Sequence, residues 1–340
     1  MSKRLISALL LLGLLTGCTG QSKGPGRYTA TFLDLFDTVT TIVGWADSEE
    51  EFRAVAQTVH DELLGYHRLF DVYHDYEGLT NLKTINDCAG GDPVPVDGAV
   101  IELLQDCKDY YRTTDGRVNV AMGAVLHLWH EARTQAVHDP AHAALPDRAA
   151  LEAAAEHCDP DAVVVDEAAS TVCITDPLVR LDVGAVAKGW AVQRVAQTVP
   201  EGLLISVGGN VCATGPKDEA GTPWVVGIQN VDGSETYLHT VYVTDGCVVT
   251  SGDYQRYFVV GGSPYHHIID PDTLLPGAYW RSVSVICDDS GAADALSTAL
   301  FLLPQQEGQR LLERYGAQAL WVDAQGEKYY SPGFRALIRT

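Results

Sequence analysis

Leu203-Leu204-Ile205-Ser206-Val207-Gly208-Gly209-Asn210 is the stretch that decides the fold. Its first part reads as a strand, and two glycines close it where a turn or a bound ligand can come close to the backbone. Downstream, residues 224–229, 239–244, 248–250, 257–260, 266–269 and 281–287 repeat the pattern, with Gly or Asp turns between them. Upstream, 36–43 is a Thr- and Val-rich strand, and 162–165 with 171–175 form a hairpin. Helical spacing places Phe52, Val55, Ala56, Val59 and Leu63 on one face of a helix over 49–64, and Val100, Leu103, Leu104 and Cys107 on one over 97–111. Residues 70–86 are irregular, 116–123 form a loop entering a short helix through Trp129, 139–146 are loop, and 147–157 are helical. Helices at 292–303 and 305–315 and a hairpin over 319–330 complete the chain. Helices and largely sequential strands imply an α+β fold with a mixed, largely antiparallel sheet flanked by helices. There is no repeat and no clean linker, so 28–335 is expected to be one domain.

The chain has 340 residues, 46% hydrophobic and 20% charged, with a formal net charge of −22. That acidity disfavours nucleic acid and anionic lipid surfaces. Lys3 and Arg4 precede an apolar run over 5–15 that is too short to span a membrane. Leu15-Thr16-Gly17-Cys18 resembles a bacterial lipobox. Residues 1–17 then read as a lipoprotein signal peptide, Cys18 as the lipidated residue with palmitate among its acyl chains, and 18–27 as that residue and a tether. The expected location is the extracytoplasmic face of a bacterial membrane, reached through the lipid alone. An ordinary signal peptide with an incidental cysteine is the alternative. Seven further cysteines include no C-x-x-C pair, which argues against zinc or iron–sulfur ligation. Several lie in apolar strand patterns, so most are expected to be free and buried.

Four segments carry chemistry. Asp182-Val183-Gly184-Ala185-Val186-Ala187-Lys188-Gly189 places small residues, a carboxylate and an ammonium at a helix start, where free N–H groups and the dipole favour an anion. A helix packed tightly on a strand is the bland alternative. Asp294 and Thr298 share one helix face and can offer two hard oxygens to one Mg²⁺, although Asp294 could simply complement a first-turn dipole. Thr250-Ser251-Gly252-Asp253-Tyr254 would suit a nucleotide base or ribose. His266-His267-Ile268-Ile269-Asp270-Pro271 puts an imidazole beside a forced turn, as a general base or as a surface pair.

Together and in this order, 181–189, 207–210, 250–257, 267–271 and 293–301 resemble the ApbE family, over roughly 31–303. The resemblance implies an ApbE-type flavin transferase fold and transfer of FMN from FAD to a threonine hydroxyl of a target protein, releasing AMP. Targets implied are redox pump subunits and FMN-binding domains. It also implies a Mg²⁺ site from Asp294, Thr298 and the carbonyl of Ala185. FAD contacts are implied at Asp182, Lys188, Ser251, Gly252, Ile269, Tyr73, Phe36 and the Ala121-Met122-Gly123 loop. Lys188 would stabilise phosphate charge and His267 would take the threonine proton, with Asp270 or a water as rivals. The chain departs from relatives in Asn119-Val120-Ala121 for Asp-Pro-Thr, Leu274 for a common glycine, and Phe36 for methionine. Two other functions share the same residues: Mg²⁺-dependent FAD hydrolysis to FMN and AMP, and flavin binding without turnover.

Overall fold

The computed structural model describes residues 25–234 and 236–339; the expected leader and Cys18 lie outside them. The chain runs through β1 (Gly26–Leu35), β2 (Thr38–Ala46), α1 (Glu49–Leu69), α2 (Leu82–Asp87), β3 (Val94–Pro95), α3 (Gly98–Thr113), α4 (Gly123–His138) and α5 (Arg148–Ala155). It continues with β4 (Val163–Asp166), β5 (Thr171–Ile174), α6 (Ala187–Ala196), β6 (Leu203–Val207), β7 (Asn210–Thr214), β8 (Trp224–Gln229) and β9 (Tyr237–Val243). Then come β10 (Asp245–Gly252), β11 (Tyr257–Val260), β12 (Ser263–His266), β13 (Ser282–Cys287), α7 (Ser290–Phe301), α8 (Gln305–Tyr315), β14 (Gln318–Val322) and β15 (Lys328–Tyr330).

Eight strands form the main sheet in the order β1-β2-β6-β7-β10-β13-β14-β15. Every neighbouring pair is antiparallel. Alternation along the strands divides the core. Ile42, Cys247 and Val249 face one side, where α1, α6 and α7 pack. Val43 and Val248 face the other, where Trp224, Val226 and Val241 of the β8–β9 ribbon cover them. The period of two produces this division, because successive side chains leave a strand on opposite faces.

Several boundaries differ from the sequence reading. The first strand is β1, whose Tyr28, Ala30 and Phe32 alternate toward the core. Phe36 begins no strand: with Asp37 it forms the two-residue turn between β1 and β2, at φ 50° and 51°. Such a turn matches strand twist but requires positive φ at both central residues, which a phenylalanine adopts only under constraint. The irregular 70–86 segment contains α2, started by a reciprocal cap between Asn81 and Thr84. Helix α4 continues past Trp129 to His138. Gly208 and Gly209, at φ 57° and 89°, join β6 to β7, and a Cβ on Gly208 would lie 2.7 Å from Thr38 Oγ1. Strand β12 ends at His266, which leaves His267 in the loop beyond it.

Candidate active site

A cavity of about 890 Å³ opens where the β1–β2 turn, the 71–76 loop, α4, the start of α6, the end of β10, the 255–269 segment and α7 converge. The chain reaches this point through paired loops. Asn86 donates to the carbonyl of Leu181 at 3.0 Å and accepts the Leu181 N–H at 2.6 Å. The Asp182 N–H donates to Val120 O at 2.8 Å, and a parallel bridge joins Met122 to Arg180. These contacts fix residues 181 and 182 before the chain turns into α6.

Helices α6 and α7 meet at Gly189. A Cβ there would lie 2.2 Å from Ser290 O and 2.5 Å from Asp294 Cβ, so glycine alone permits the approach. The closeness lets Asp294 Oδ2 accept the Gly189 N–H at 2.8 Å, with Lys188 Nζ 3.5 Å away. The anion seated on the N-terminus of α6 is thus the carboxylate of Asp294, and the N–H expected to meet a ligand phosphate is already bonded. Lys188 Nζ also donates to Gly184 O at 3.1 Å. Asp294 is 5% exposed, and burial pushes its carboxyl above the ordinary range against the pull of Lys188. Asn210, buried at the start of β7, accepts from Ser290 Oγ at 2.7 Å, while its Nδ2 has no hydrogen-bond partner among the described residues.

Asp294, Thr298 and Ala185 all line the cavity, with Asp294 and Thr298 one turn apart in α7. Among the described residues no group of three or more His, Cys, Asp or Glu side chains is placed to hold a metal ion. The donor set is oxygen only and incompletely compensated, which fits a hard cation that takes its remaining ligands from water and phosphate.

The two adjacent histidines divide their roles. His266 uses both ring nitrogens: Nε2 bonds Gly277 O at 2.9 Å, and Nδ1 accepts the Ile268 N–H at 3.2 Å. His267 Nδ1 lies 3.2 Å from Arg256 O. A carbonyl only accepts, so Nδ1 carries the proton and the Nε2 lone pair is left for a substrate. The His267 ring is open to the cavity's solvent yet crowded by protein. That crowding, reinforced by the charge of Arg256, lowers its pKa to about 3. The imidazole is therefore neutral at physiological pH.

An aromatic and cationic wall faces these groups. Tyr73, 47% exposed, stacks on His130 with ring centroids 5.2 Å apart. Burial and then the charge of Asp182 push its hydroxyl up to about 12. Phe36 meets His67 edge-on at 5.4 Å, and its N–H donates to His67 Nδ1 at 3.1 Å. Arg133 and Arg256 line the cavity, and neither makes a salt bridge among the described residues. Sequence reasoning missed both; an arginine beside the serine–glycine motif was the available cue to Arg256. Asp182, whose Oδ1 accepts the Gly184 N–H at 2.8 Å, is raised by burial.

The cavity brings together Phe36, Tyr73, Met122, Asp182, Ala185, Lys188, Ser251, Gly252, His267, Ile269, Asp294 and Thr298. Three expected residues lie outside its lining. Ala121 is fully buried in the main core, its N–H donating to Asn119 Oδ1 at 2.9 Å. Gly123 permits close packing, since its Cβ would sit 2.5 Å from Arg180 O. Asp270 lies outside the lining, and its Oδ1 is engaged in the turn: it accepts the Asp272 N–H at 2.8 Å and lies 3.4 Å from Arg117 Nη1. In that turn Leu274 adopts φ 60°, the conformation that favours glycine, and its buried side chain joins Trp129 and Val125 in a smaller apolar cluster around α4. Asn119, the departure from Asp-Pro-Thr, braces its loop by donating to Cys158 O at 2.8 Å.

One cavity thus gathers a neutral imidazole, cationic side chains and stacked rings. The ApbE family pattern matches residues 36–321. A FAD:protein FMN transferase of Klebsiella pneumoniae is 32% identical over 277 residues, 77% of this chain and 83% of that protein. One from Treponema pallidum is 34% identical over 260 residues, 71% of this chain and 70% of its own length. The ApbE protein of Thermotoga maritima superposes with a TM-score of 0.81 at 28% identity, over 93% of this chain and 100% of that one. The flavin transferase ApbE of Vibrio cholerae shares the fold at a TM-score of 0.73 and 21% identity, over 92% and 99%. The chain belongs to the ApbE family.

Proposed function

We propose that this chain is a FAD:protein FMN transferase that moves the FMN half of FAD onto a threonine hydroxyl of an acceptor protein, with AMP as leaving group. The observation that carries this reading is the pairing of a neutral, outward-facing His267 with the Lys188–Asp294 cluster in one cavity. The curated relatives named for the same reaction support it.

In this mechanism the acceptor hydroxyl attacks the flavin-side phosphorus, and His267 Nε2 takes its proton. The bond from that phosphorus to the bridging oxygen breaks, and AMP carries the bridging oxygen away. Lys188, Arg133 and Arg256 hold phosphate charge, and the Tyr73–His130 stack offers a surface to a flat ring. Asp294, Thr298 and the Ala185 carbonyl would hold Mg²⁺, which neutralises charge on the phosphate oxygens during transfer. Positioning and charge account for most of such catalysis.

The acceptor is a redox pump subunit or an FMN-binding domain. The lipobox reading of Cys18 places the enzyme on the extracytoplasmic face of a bacterial membrane, held by lipid. No described helix is long and apolar enough to cross a membrane. Labelled palmitate incorporation that vanishes in Cys18→Ser tests the anchor. The reaction itself is tested by incubating the purified chain with FAD, Mg²⁺ and an acceptor. Flavin fluorescence that stays with the denatured acceptor band is the expected result; free FMN and AMP with an unmodified acceptor would instead indicate hydrolysis.

A further inference from the structure

Cys247 of β10 stands directly opposite Cys212 of β7 on one side and Cys287 of β13 on the other. Directly opposed residues project to one face of a sheet, and all three belong to the core beneath α6 and α7. Within this row the sulfurs of Cys212 and Cys247 are 2.9 Å apart. Opposed positions on antiparallel strands have Cα atoms about 4.5–5.5 Å apart, within the span that a disulfide tolerates. We propose that Cys212 and Cys247 form a cross-strand disulfide by exchange with a small-molecule or protein disulfide, and that Cys287 remains a thiol.

The exchange balances without a further reactant. The Cys212 thiolate attacks one sulfur of the oxidant, and half of the oxidant leaves as a thiol. The Cys247 thiolate then attacks the Cys212 sulfur of the mixed disulfide and expels the other half. The chain loses two hydrogen atoms, and the oxidant's S–S bond is reduced to two thiols. Folded, the two side chains are 3% and 0% exposed, which keeps oxidants away. The hydrogen bond to Cys212 and burial hold the Cys247 thiol well above its ordinary range, so little thiolate is present. The bond therefore closes during folding, as β7 and β10 come together.

The location gives the bridge a consequence for the site. Strand β7 begins at Asn210, packed against α7, and β10 carries Ser251 next to its last residue, with Ser251 Oγ bonding Ser297 Oγ of α7 at 2.7 Å. A covalent tie between these strands holds the platform on which Asp294 rests.

The test is to refold the full reduced chain in glutathione buffers ranging from fully reduced to fully oxidised, quench with acid, alkylate under denaturing conditions without reductant, and map the peptides. The expected result in oxidising buffer is one linked species containing Cys212 and Cys247, separable by reductant, with Cys287 alkylated and a higher unfolding midpoint than the reduced protein. In Cys247→Ser, Cys212 becomes fully alkylated. Complete alkylation of both wild-type thiols even in oxidised glutathione alone, or linkage of Cys247 to Cys287, would overturn the proposal. The map reads the wild-type chain, so it does not depend on how the variant folds, and neither result bears on flavin transfer.

Discussion

Lys188 Nζ on α6 stands 3.5 Å from Asp294 Oδ2 on α7, and the two partners are unequally held. The carboxylate is fixed by the Gly189 N–H and the positive end of α6, while the ammonium has the flexible reach of its stem and one carbonyl. In the proposed reading, Lys188 is the member that would move to an arriving phosphate, and Asp294 the one that would stay to meet a cation.

Asp294→Asn keeps an oxygen for the Gly189 N–H and removes the charge. FMN transfer should fall at least about 100-fold, the upper end of the loss from disturbing a metal's outer shell. The Mg²⁺ concentration for half-maximal rate should rise. Because a buried amide is cheaper to desolvate than a buried carboxylate, the unfolding midpoint should not drop. Unchanged transfer kinetics across a Mg²⁺ titration would remove Asp294 from the metal site.

Lys188→Met should weaken FAD binding, followed by flavin fluorescence quenching, by roughly 10- to 100-fold, the equivalent of one charge-assisted hydrogen bond. Lys188→Arg should recover part of this loss, since the charge returns with a different shape. Equal FAD affinity in all three proteins would show that the ammonium does not reach the phosphates.

His267 makes the pH profile diagnostic. Its pKa is lowered to about 3, so its lone pair stays unprotonated well below the value of an ordinary histidine. The kcat/KM profile should lack an acid limb near pH 6.5, and any limb from His267 should appear only as the pH approaches that lower value. Stability moves the same way: below about 6.5 the unfolded chain binds a proton that the folded one refuses, so stability falls as pH drops. His267→Ala should lose transfer while FAD binding persists; full activity would exclude the residue.

Gly189→Ala should cost about 1–3 kcal/mol or more of stability, measured by denaturant unfolding, because the neighbouring Ser290 carbonyl is backbone and cannot rotate away. An unaffected midpoint would mean that α6 and α7 are not in the contact described.

Much of this was legible in the sequence. Residues 203–207, 224–229 and 257–260 stand as strands where their alternation placed them. The small residues of 182–189 did mark a helix start beside a cavity. What escaped depends on contacts between distant segments. Phe36 reads as part of a strand because its residue type favours one; only pairing of β1 with β2 makes it a turn. Asp294 as the cap of α6 is invisible locally, since 105 positions separate it from Gly189. Asp-Pro at 270–271 announces a turn, but the hydrogen bonds by which Asp270 Oδ1 closes it become visible only in the folded chain.

The contact between Gly189 and Asp294 also sets an order of events during synthesis. The α6 side of the phosphate cluster exists once its segment is made, but its carboxylate and Thr298 belong to α7, one of the last elements produced. Under the proposed function, a partly made chain would hold only half of the residues assigned to FAD and Mg²⁺, so FAD would be expected to bind only after α7 has docked.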